Sequence, residues 1–208
     1  MIIDMHIHQK LNSSDSQLDL FNAIDIAKQR GLDGICITDH DDLGLRTMAE
    51  TVSKETGFKV FVGVEIYTLD GDLLCFGIDE MPPERLSAQE TIDFVNARGG
   101  TTIAAHPYRM NNRGLGDVIA DVKGLGAVEA FNGRTDEFSN LKALKLAQGV
   151  RLPICGGSDS HTDMEVGNFA TKFHHVINSE TDMIRAIQNG MMEPISLTGR
   201  GTKQLEIA

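Results

Sequence analysis

The segment MIIDMHIH (residues 1–8) is an apolar run that ends in two histidines separated by one residue. Alternate residues of a β-strand point to the same side, so His6 and His8 can reach a common point from one strand. A similar pair follows a later apolar run, where Asp159 and His161 lie in GGSDSH. These two pairs predict that polar side chains gather where strands end.

Short apolar runs alternate with amphipathic segments along the rest of the chain. The runs predict eight strands, at residues 2–5, 34–38, 60–64, 73–78, 101–105, 127–131, 152–155 and 171–176. Helices are predicted at 17–30, 45–56, 87–98, 115–123, 138–148 and 180–189. This rhythm predicts an α/β fold with a parallel sheet and outer helices, of a size that suits one compact or incomplete barrel.

Composition limits the partners and the compartment. The 208 residues carry a net formal charge of −11, which disfavours an extended nucleic-acid surface. No apolar run is long enough for a membrane span, and the first residues lack a secretion signal. Cys36, Cys75 and Cys155 lie in separate apolar stretches, so we expect buried thiols in a reducing cytoplasm. We expect one domain over 1–198 and a polar tail at 199–208, and the oligomeric state stays open.

Further polar residues follow the other predicted strands or lie in nearby loops. They are Asp15, Asp39, His40, Glu65 and His106. Because the carboxyl ends of parallel barrel strands form one face, we expect these side chains to meet the two terminal pairs there. Histidine and carboxylate ligands without cysteine favour Zn, Mn or Fe, and their number predicts two or three divalent ions.

Two of these acids have alternative roles. Asp15 lies in a loop and would also suit a cap on the following helix. Asp39 adjoins His40 and would point the opposite way on an extended backbone, so we expect it to orient a ligand or to carry a proton.

Two arginines follow strand-end motifs, Arg109 in HPYR and Arg134 in FNGR. An arginine beside a metal cluster can hold phosphate oxygens through its planar fork of N–H groups. The alternative is an ordinary surface arginine. Asn132 is a candidate to join them.

Five motifs, in order along the chain, resemble those of the PHP family, named for polymerase and histidinol phosphatase. They are DMHIHQKLNSSDS, ITDHD, GVEIYT, AAHPYR and GGSDSHT, and the resemblance covers nearly the whole chain. It implies a distorted (β/α)7 TIM-like barrel with a di- or trinuclear metal site. Most known members are phosphoesterases.

The resemblance also implies ligand roles. One ion is expected on His6, His8, Glu65 and Asp159, a second on Glu65 and His106, and a third on Asp15, His40 and His161. Many members supply another histidine to the second ion, but residues 66–105 contain none. The second site is therefore expected to be weaker, to hold an extra water molecule, or to use Asp72.

The expected reaction is hydrolysis of a small phosphate ester, such as a nucleotide or sugar phosphate, by a metal-activated water. Glu65 would bridge two ions, and Arg109 or Arg134 would neutralise phosphate oxygens. The general acid is left unassigned, with Asp39 and a metal-bound water as candidates. Two alternatives stay open: a metal-dependent amidohydrolase, and a catalytically silent metal-binding or regulatory domain.

Overall fold

Two β-sheets form the framework of the computed structural model, which describes residues 1–197 and 203–204. The first sheet contains β1 (Ile2–Ile7), β2 (Gly34–Ile37), β3 (Lys59–Val62), β9 (Phe169–Phe173), β10 (Met192–Ser196) and β11 (Lys203–Gln204). The second contains β4 (Val64–Tyr67), β5 (Asp72–Phe76), β6 (Thr101–Ala104), β7 (Ala127–Asn132) and β8 (Ile154–Gly157). The strand orders are β11-β10-β9-β1-β2-β3 and β4-β5-β6-β7-β8.

In the described part of the chain, five α-helices connect or flank these strands. They are α1 (Leu20–Gln29), α2 (Arg46–Thr56), α3 (Ala88–Ala97), α4 (Glu137–Val150) and α5 (Glu180–Gln188), with a short 3-10 helix at Gly116–Ala120. Ser87 and Glu90 form the capping box of α3 that their spacing predicts, and Ser179 caps α5 in the same way. The predicted helices are all present, although 115–123 forms only the 3-10 turn.

The predicted barrel is wrong, because the strands do not close into one sheet. Within the described residues, the two sheets are linked by the isolated bridges Ile7–Ser160 and His40–Glu65 rather than by a strand ladder. The uniformly parallel pairing is also wrong, because both sheets are mixed. β4, β5 and β6 pair antiparallel, and so do β9 and β10, whereas β1-β2-β3 and β6-β7-β8 pair parallel. The chain passes from β3 to β4 at Gly63 without a helix, where a Cβ atom would lie 2.6 Å from the Phe76 ring.

Three large apolar clusters of described residues hold these layers together, and a small fourth one contains Ala130, Phe131 and Leu144. One packs α1 and α2 on the outer face of the first sheet, and another packs α3 on the outer face of the second. The third lies between the sheets, where Met5 and Leu74 meet, and α5 contributes Met183 and Ile187 to it. Apolar residues fill one end of the space between the sheets. Polar residues lie at the other end, where β1, β2, β6, β7 and β8 reach their carboxyl ends.

Several smaller expectations can be compared with the structure. All three cysteines are buried and unpaired, as predicted. Among the described residues, no helix has the length and apolar character needed to cross a bilayer. Within the predicted tail, Lys203–Gln204 pairs with β10, and the rest of 199–208 lies outside the described residues.

Candidate metal centre

The two histidines of the first motif point into one site. His6 is in β1 and His8 follows that strand directly, so both leave the same face of the backbone. Their Nε2 atoms are 3.0 Å apart, and both residues are fully buried. Two nitrogen ligands of one tetrahedral ion lie about 3.3 Å apart when each bond is about 2.0–2.1 Å. The observed pair is close to that separation.

Two carboxylates approach the same point from other elements. Glu65, in β4, places Oε1 at 3.5 Å from His6 Nε2 and Oε2 at 3.5 Å from His8 Nε2. Asp159, two residues after β8, places Oδ1 at 3.4 Å from His8 Nε2 and 3.7 Å from His6 Nε2. Segments far apart in sequence thus bring two imidazoles and two carboxylates together in the folded chain.

His106 lies on the other side of the Glu65 carboxylate. Its Nε2 is 2.9 Å from Glu65 Oε1 and 3.9 Å from Asp159 Oδ2. Asp72 is the next acid along, with Oδ2 at 3.8 Å from His106 Nε2. Glu65 therefore lies between the His6–His8 pair and His106, which is the position of a bridging carboxylate.

A third group borders the first. Asp15 Oδ2 is 3.3 Å from His40 Nε2 and 3.2 Å from His161 Nε2. The rings of His40 and His161 lie 4.2 and 4.4 Å from that of His8, measured between centroids. Asp15 does not cap α1, since Asp19 occupies the cap position and accepts a hydrogen bond from the Phe21 backbone. That alternative role for Asp15 is wrong.

The two predicted arginines line the same open pocket, a cavity of about 500 Å³ above these groups. Arg109 Nη2 is 2.6 Å from Asp159 Oδ2 and donates to Asn132 Oδ1 at 3.2 Å. Arg134 is more exposed, and its Nε lies 3.5 Å from Glu165 Oε1. Arg109 thus reaches the histidine–carboxylate cluster itself, whereas Arg134 lies nearer the rim.

A third arginine in the pocket was not predicted. Arg113 forms a two-pronged pair with Asp72, donating from Nε to Oδ2 at 2.7 Å and from Nη2 to Oδ1 at 2.9 Å. Both Asp72 oxygens are therefore held by one guanidinium, which favours the expectations in which Asp72 is not a metal ligand. Arg113 lies in a polar loop that follows no apolar run, so the strand-end pattern could not indicate it.

Comparisons with known proteins agree with this geometry. The model of the PHP domain matches residues 4–112, just over half of the chain, and that of the PHP-associated C-terminal region matches residues 137–192. The chain belongs to the PHP family. The resemblance carried by the five motifs is therefore confirmed.

Similar proteins support membership and fold. An uncharacterized protein of Methanocaldococcus jannaschii is 36% identical over 141 residues, which cover 64% of this chain and 82% of that protein. A proposed metal-dependent phosphoesterase from Bifidobacterium adolescentis has a similar fold, with a TM-score of 0.64, 20% identity, and coverage of 77% of this chain and 88% of the other. An amidohydrolase from Chromobacterium violaceum also has a similar fold, with a TM-score of 0.65 and 18% identity. The match covers 79% of this chain and 89% of that protein.

In this PHP domain an unpredicted acid supports the cluster from behind. Glu129, in β7, is 1% exposed and places Oε1 at 3.0 Å from His6 Nδ1. Its Oε2 accepts from the His106 backbone N–H and from Asn132 Nδ2, both at 2.9 Å. A carboxylate behind a metal-binding imidazole fixes the ring orientation and makes the other nitrogen a better ligand. The only sequence signal was one charge in the apolar run AVEAF.

Asp39 supports His8 through a serine. Ser13 Oγ donates to Asp39 Oδ1 at 2.7 Å and lies 3.3 Å from His8 Nδ1. The Asp39 carboxylate also accepts from the Gln9 backbone and side chain, at 2.8 and 2.9 Å. Asp39 is 1% exposed and does not line the pocket, so its position favours the orienting role over the proton-carrying role.

The charges of the cluster are strongly coupled. Burial disfavours the imidazolium form of His6, but the negative charges of Asp159, Glu129 and Glu65 raise its pKa well above the usual value. Burial lowers the pKa of His8 to about 4. The pKa of Glu65 is well below its usual range, because the charge and hydrogen bonds of nearby histidines outweigh the effect of burial.

The donor atoms fit divalent metal ions. Among the described residues, four groups of three histidine and carboxylate residues have their ligand atoms within 4.8 Å of one another. Two of the groups contain His6 and two contain Glu65, and one joins Glu65 and His106 to Asp72, the acid whose two oxygens are also paired with Arg113. Within the described part of the chain, His40 Nδ1 is buried without a hydrogen-bond partner, although Glu65 Oε2 is only 2.7 Å away. Nitrogen and oxygen donors without sulfur suit Zn, Mn or Fe.

Proposed function

We propose that this PHP domain is a metal-dependent phosphoesterase that hydrolyses a small phosphate ester. The observation that carries the proposal is Arg109 at the edge of the metal centre, with Nη2 2.6 Å from Asp159 Oδ2. Phosphoryl transfer mainly needs positioning and neutralisation of charge, and a cationic fork beside a metal cluster supplies both.

The charge of the pocket supports an anionic substrate only when metal ions are present. Its lining contains five carboxylates and three arginines, so its net formal charge is negative with neutral histidines. Each divalent ion adds two positive charges, and two ions would make the pocket net positive. We therefore expect phosphate to bind to the metal-loaded protein and to be repelled by the metal-free protein.

The ligand assignment follows the three groups of side chains. We propose one ion on His6, His8, Glu65 and Asp159, a second on Glu65 and His106, and a third on Asp15, His40 and His161. Bound divalent ions would lower the pKa of a water molecule and polarise the phosphoryl oxygens. The pair with Arg113 keeps Asp72 out of this set.

The other residues hold and orient. Glu129 fixes the His6 ring, and Asp39 fixes His8 through Ser13, so that both Nε2 atoms face the centre. Arg109 would bind the anionic oxygens of the substrate, and Arg134 would add charge at the rim. A cavity of about 500 Å³ suits a small ester better than a polymer. The unpaired cysteines support our inference of a reducing cytoplasm.

Metal content and a substrate panel together test the proposal. Purified protein is stripped with a chelator, reloaded with Zn²⁺, Mn²⁺ or Fe²⁺, and assayed on phosphate monoesters, phosphate diesters and amides. We expect two or more ions per chain and hydrolysis of phosphate esters that is lost on chelation. His8→Ala should show a lower metal content and no activity. The matched variant His174→Ala removes an exposed histidine outside the cluster and should change neither the metal content nor the activity.

Two results would replace the proposal. Hydrolysis of amides without any turnover of phosphate esters would show an amidohydrolase. Fewer than one ion per chain, with no turnover of either class, would show a silent domain. In the second case, the missing histidine between Glu65 and His106 would be the first position to restore.

A further inference from the structure

The ring of Tyr67, at the end of β4, lies against two guanidinium groups. Arg85 Cζ is 3.5 Å from the ring centroid, and Arg113 Cζ is 4.3 Å from it. The Tyr67 ring therefore contacts both cations. The attraction of each cation to the π-electrons then resists movement of either group.

Arg85 is the outer, fixed member of this stack. Its Nε and Nη2 both donate to the Thr68 carbonyl oxygen, at 3.1 and 2.7 Å. Two bonds to one backbone atom hold the guanidinium plane in place. Arg85 does not line the pocket, but it contacts Tyr67, which in turn contacts Arg113.

Arg113 is the inner member and is held from two sides. Tyr67 and Asp72 are directly paired across the β4–β5 hairpin, and the Arg113 guanidinium spans both side chains. The Asp72 backbone N–H also donates to the Arg113 carbonyl oxygen at 2.7 Å. The side chain and the backbone of Arg113 are thus both tied to this hairpin.

Two glycines allow the loop that contains Arg113 to pack closely, Gly71 against the hairpin and Gly114 within the loop itself. A Cβ atom on Gly71 would lie 2.7 Å from the Gly114 carbonyl carbon, and one on Gly114 would lie 2.2 Å from the Pro107 oxygen. Neither contact leaves room for a side chain. The loop that carries Arg109 and Arg113 is therefore packed against the hairpin by backbone contact.

Arg113 retains donors for a ligand. A guanidinium has five N–H groups, and the pair with Asp72 uses two. The side chain is 33% exposed and lines the pocket together with Arg109 and Arg134. It therefore presents a fixed cation to the space in which a substrate would bind.

We propose that Arg113 binds the phosphate group of the substrate, and that Tyr67 and Arg85 are positioning residues which hold its guanidinium against the pocket wall. This inference rests on the proposed phosphoesterase function. The ring matters more than the hydroxyl, because the cation–π contacts are made by the ring. Loss of the ring should leave the guanidinium held by Asp72 alone, and the looser cation should weaken phosphate binding more than it slows the chemical step.

The test compares Tyr67→Leu with Tyr67→Phe in Mn²⁺-loaded protein. Calorimetry gives the Kd of inorganic phosphate, and steady-state assays with p-nitrophenyl phosphate give KM and kcat. We expect Tyr67→Leu to raise both Kd and KM by about five- to tenfold, with kcat changed less than about threefold. Tyr67→Phe keeps the ring, so its Kd and KM should stay within about twofold of the wild-type values. Phe94→Leu is the matched control, since it removes a stack with Arg98 (3.5 Å) outside the pocket.

The outcomes separate this inference from the proposed function. An unchanged phosphate Kd in folded Tyr67→Leu would overturn the inference, and so would an equal loss in Tyr67→Phe. Wild-type protein that binds phosphate but hydrolyses no ester would contradict the proposed phosphoesterase function. The phosphate Kd values of the Tyr67 variants would still decide whether Tyr67 positions Arg113. If Tyr67→Leu shows no cooperative melting, Arg85→Gln replaces it, with an expected rise in Kd of about threefold. Wild-type protein that binds no phosphate would overturn both.

Discussion

His6 Nδ1 lies 3.0 Å from Glu129 Oε1, while Nε2 of the same ring lies 3.0 Å from His8 Nε2. One nitrogen is thus committed to a buried carboxylate and the other faces the metal centre. The hydrogen bond requires a proton on Nδ1, which leaves the lone pair of neutral His6 on Nε2. Glu129 therefore determines the tautomer in which His6 can bind a metal ion.

Replacing Glu129 by Gln should weaken metal binding with little change in shape. The amide oxygen can still accept a hydrogen bond from Nδ1, but the charge that makes His6 a strong ligand is lost, and so is the Oε2 acceptor of the His106 and Asn132 N–H groups. We expect the dissociation constant of Mn²⁺ or Zn²⁺ to rise by about 10- to 100-fold, measured by chelator competition. Glu137→Gln, at an exposed position at the start of α4, is the control. Equal metal affinity in Glu129→Gln and the wild type would show that the charge of Glu129 has no such role.

The sequence pattern indicates the metal ligands but not Glu129, which supports one of them. The predicted ligands follow apolar runs at strand ends, and the structure brings them together because the strand ends share one side of the molecule. Glu129 lies inside the buried strand β7, and its partner His6 is 123 positions away. Arg113 likewise acquires its role through Asp72 and Tyr67, which are neighbours only in the folded chain. Local patterns contain no signal for such long-range pairs.

The fold was predictable in its elements but not in its pairing. Apolar runs locate the strands from β1 to β9 within a few residues, except for β4, of which the predicted strand 60–64 includes only Val64. The barrel expectation rested on the alternation of most predicted strands with helices and on parallel pairing. The direct turn from β3 into β4 and the hairpin to β5 remove that alternation. Strand direction depends on which strands meet across the sheet, and hydrophobic periodicity does not report it.

Asp159→Asn should abolish hydrolysis without unfolding the protein. Asp159 has a left-handed backbone with φ of 53°, a conformation that asparagine tolerates and alanine adopts at a cost of about 1–2 kcal/mol. Asparagine therefore removes the ligand charge without the backbone strain that would confuse an alanine variant. We expect kcat/KM to fall by about 100-fold or more, and the melting temperature of the metal-free protein to stay within a few degrees. Undiminished turnover would exclude Asp159 from the metal centre.

Arg109→Ala should impair phosphate esters selectively. Its guanidinium contacts Asp159 and Asn132 and would contact the substrate through charged hydrogen bonds, each of which contributes about 1.5–3 kcal/mol. We expect kcat/KM for a phosphate monoester to fall by about 10- to 100-fold, and inhibition by inorganic phosphate to weaken in parallel. Arg98→Ala removes an exposed arginine paired with Glu80, outside the pocket, and is the control. An equal loss on a neutral carboxylic ester would argue against a phosphate-binding role.

Metal affinity should increase with pH between about 6 and 8. The surrounding carboxylates outweigh burial and raise the pKa of His6, so in the metal-free protein at neutral pH its ring is an imidazolium with protons on both nitrogens. His8, with a pKa of about 4, is already neutral. An ion must displace the proton from His6 Nε2, which costs more as the pH falls. One displaced proton makes the apparent affinity rise about tenfold per pH unit until the pH exceeds the pKa of His6.

Calorimetric titrations with Mn²⁺ at pH 6, 7 and 8, in buffers of different ionisation enthalpy, measure both the affinity and the protons released. His174→Ala, which leaves the cluster intact, should show the same pH profile as the wild type. In Glu129→Gln the loss of a nearby negative charge lowers the pKa of His6, so the rise should flatten at a lower pH. An affinity that does not change between pH 6 and 8 would mean that His6 is neutral before the ion binds, and that its carboxylate neighbours do not hold a proton on it.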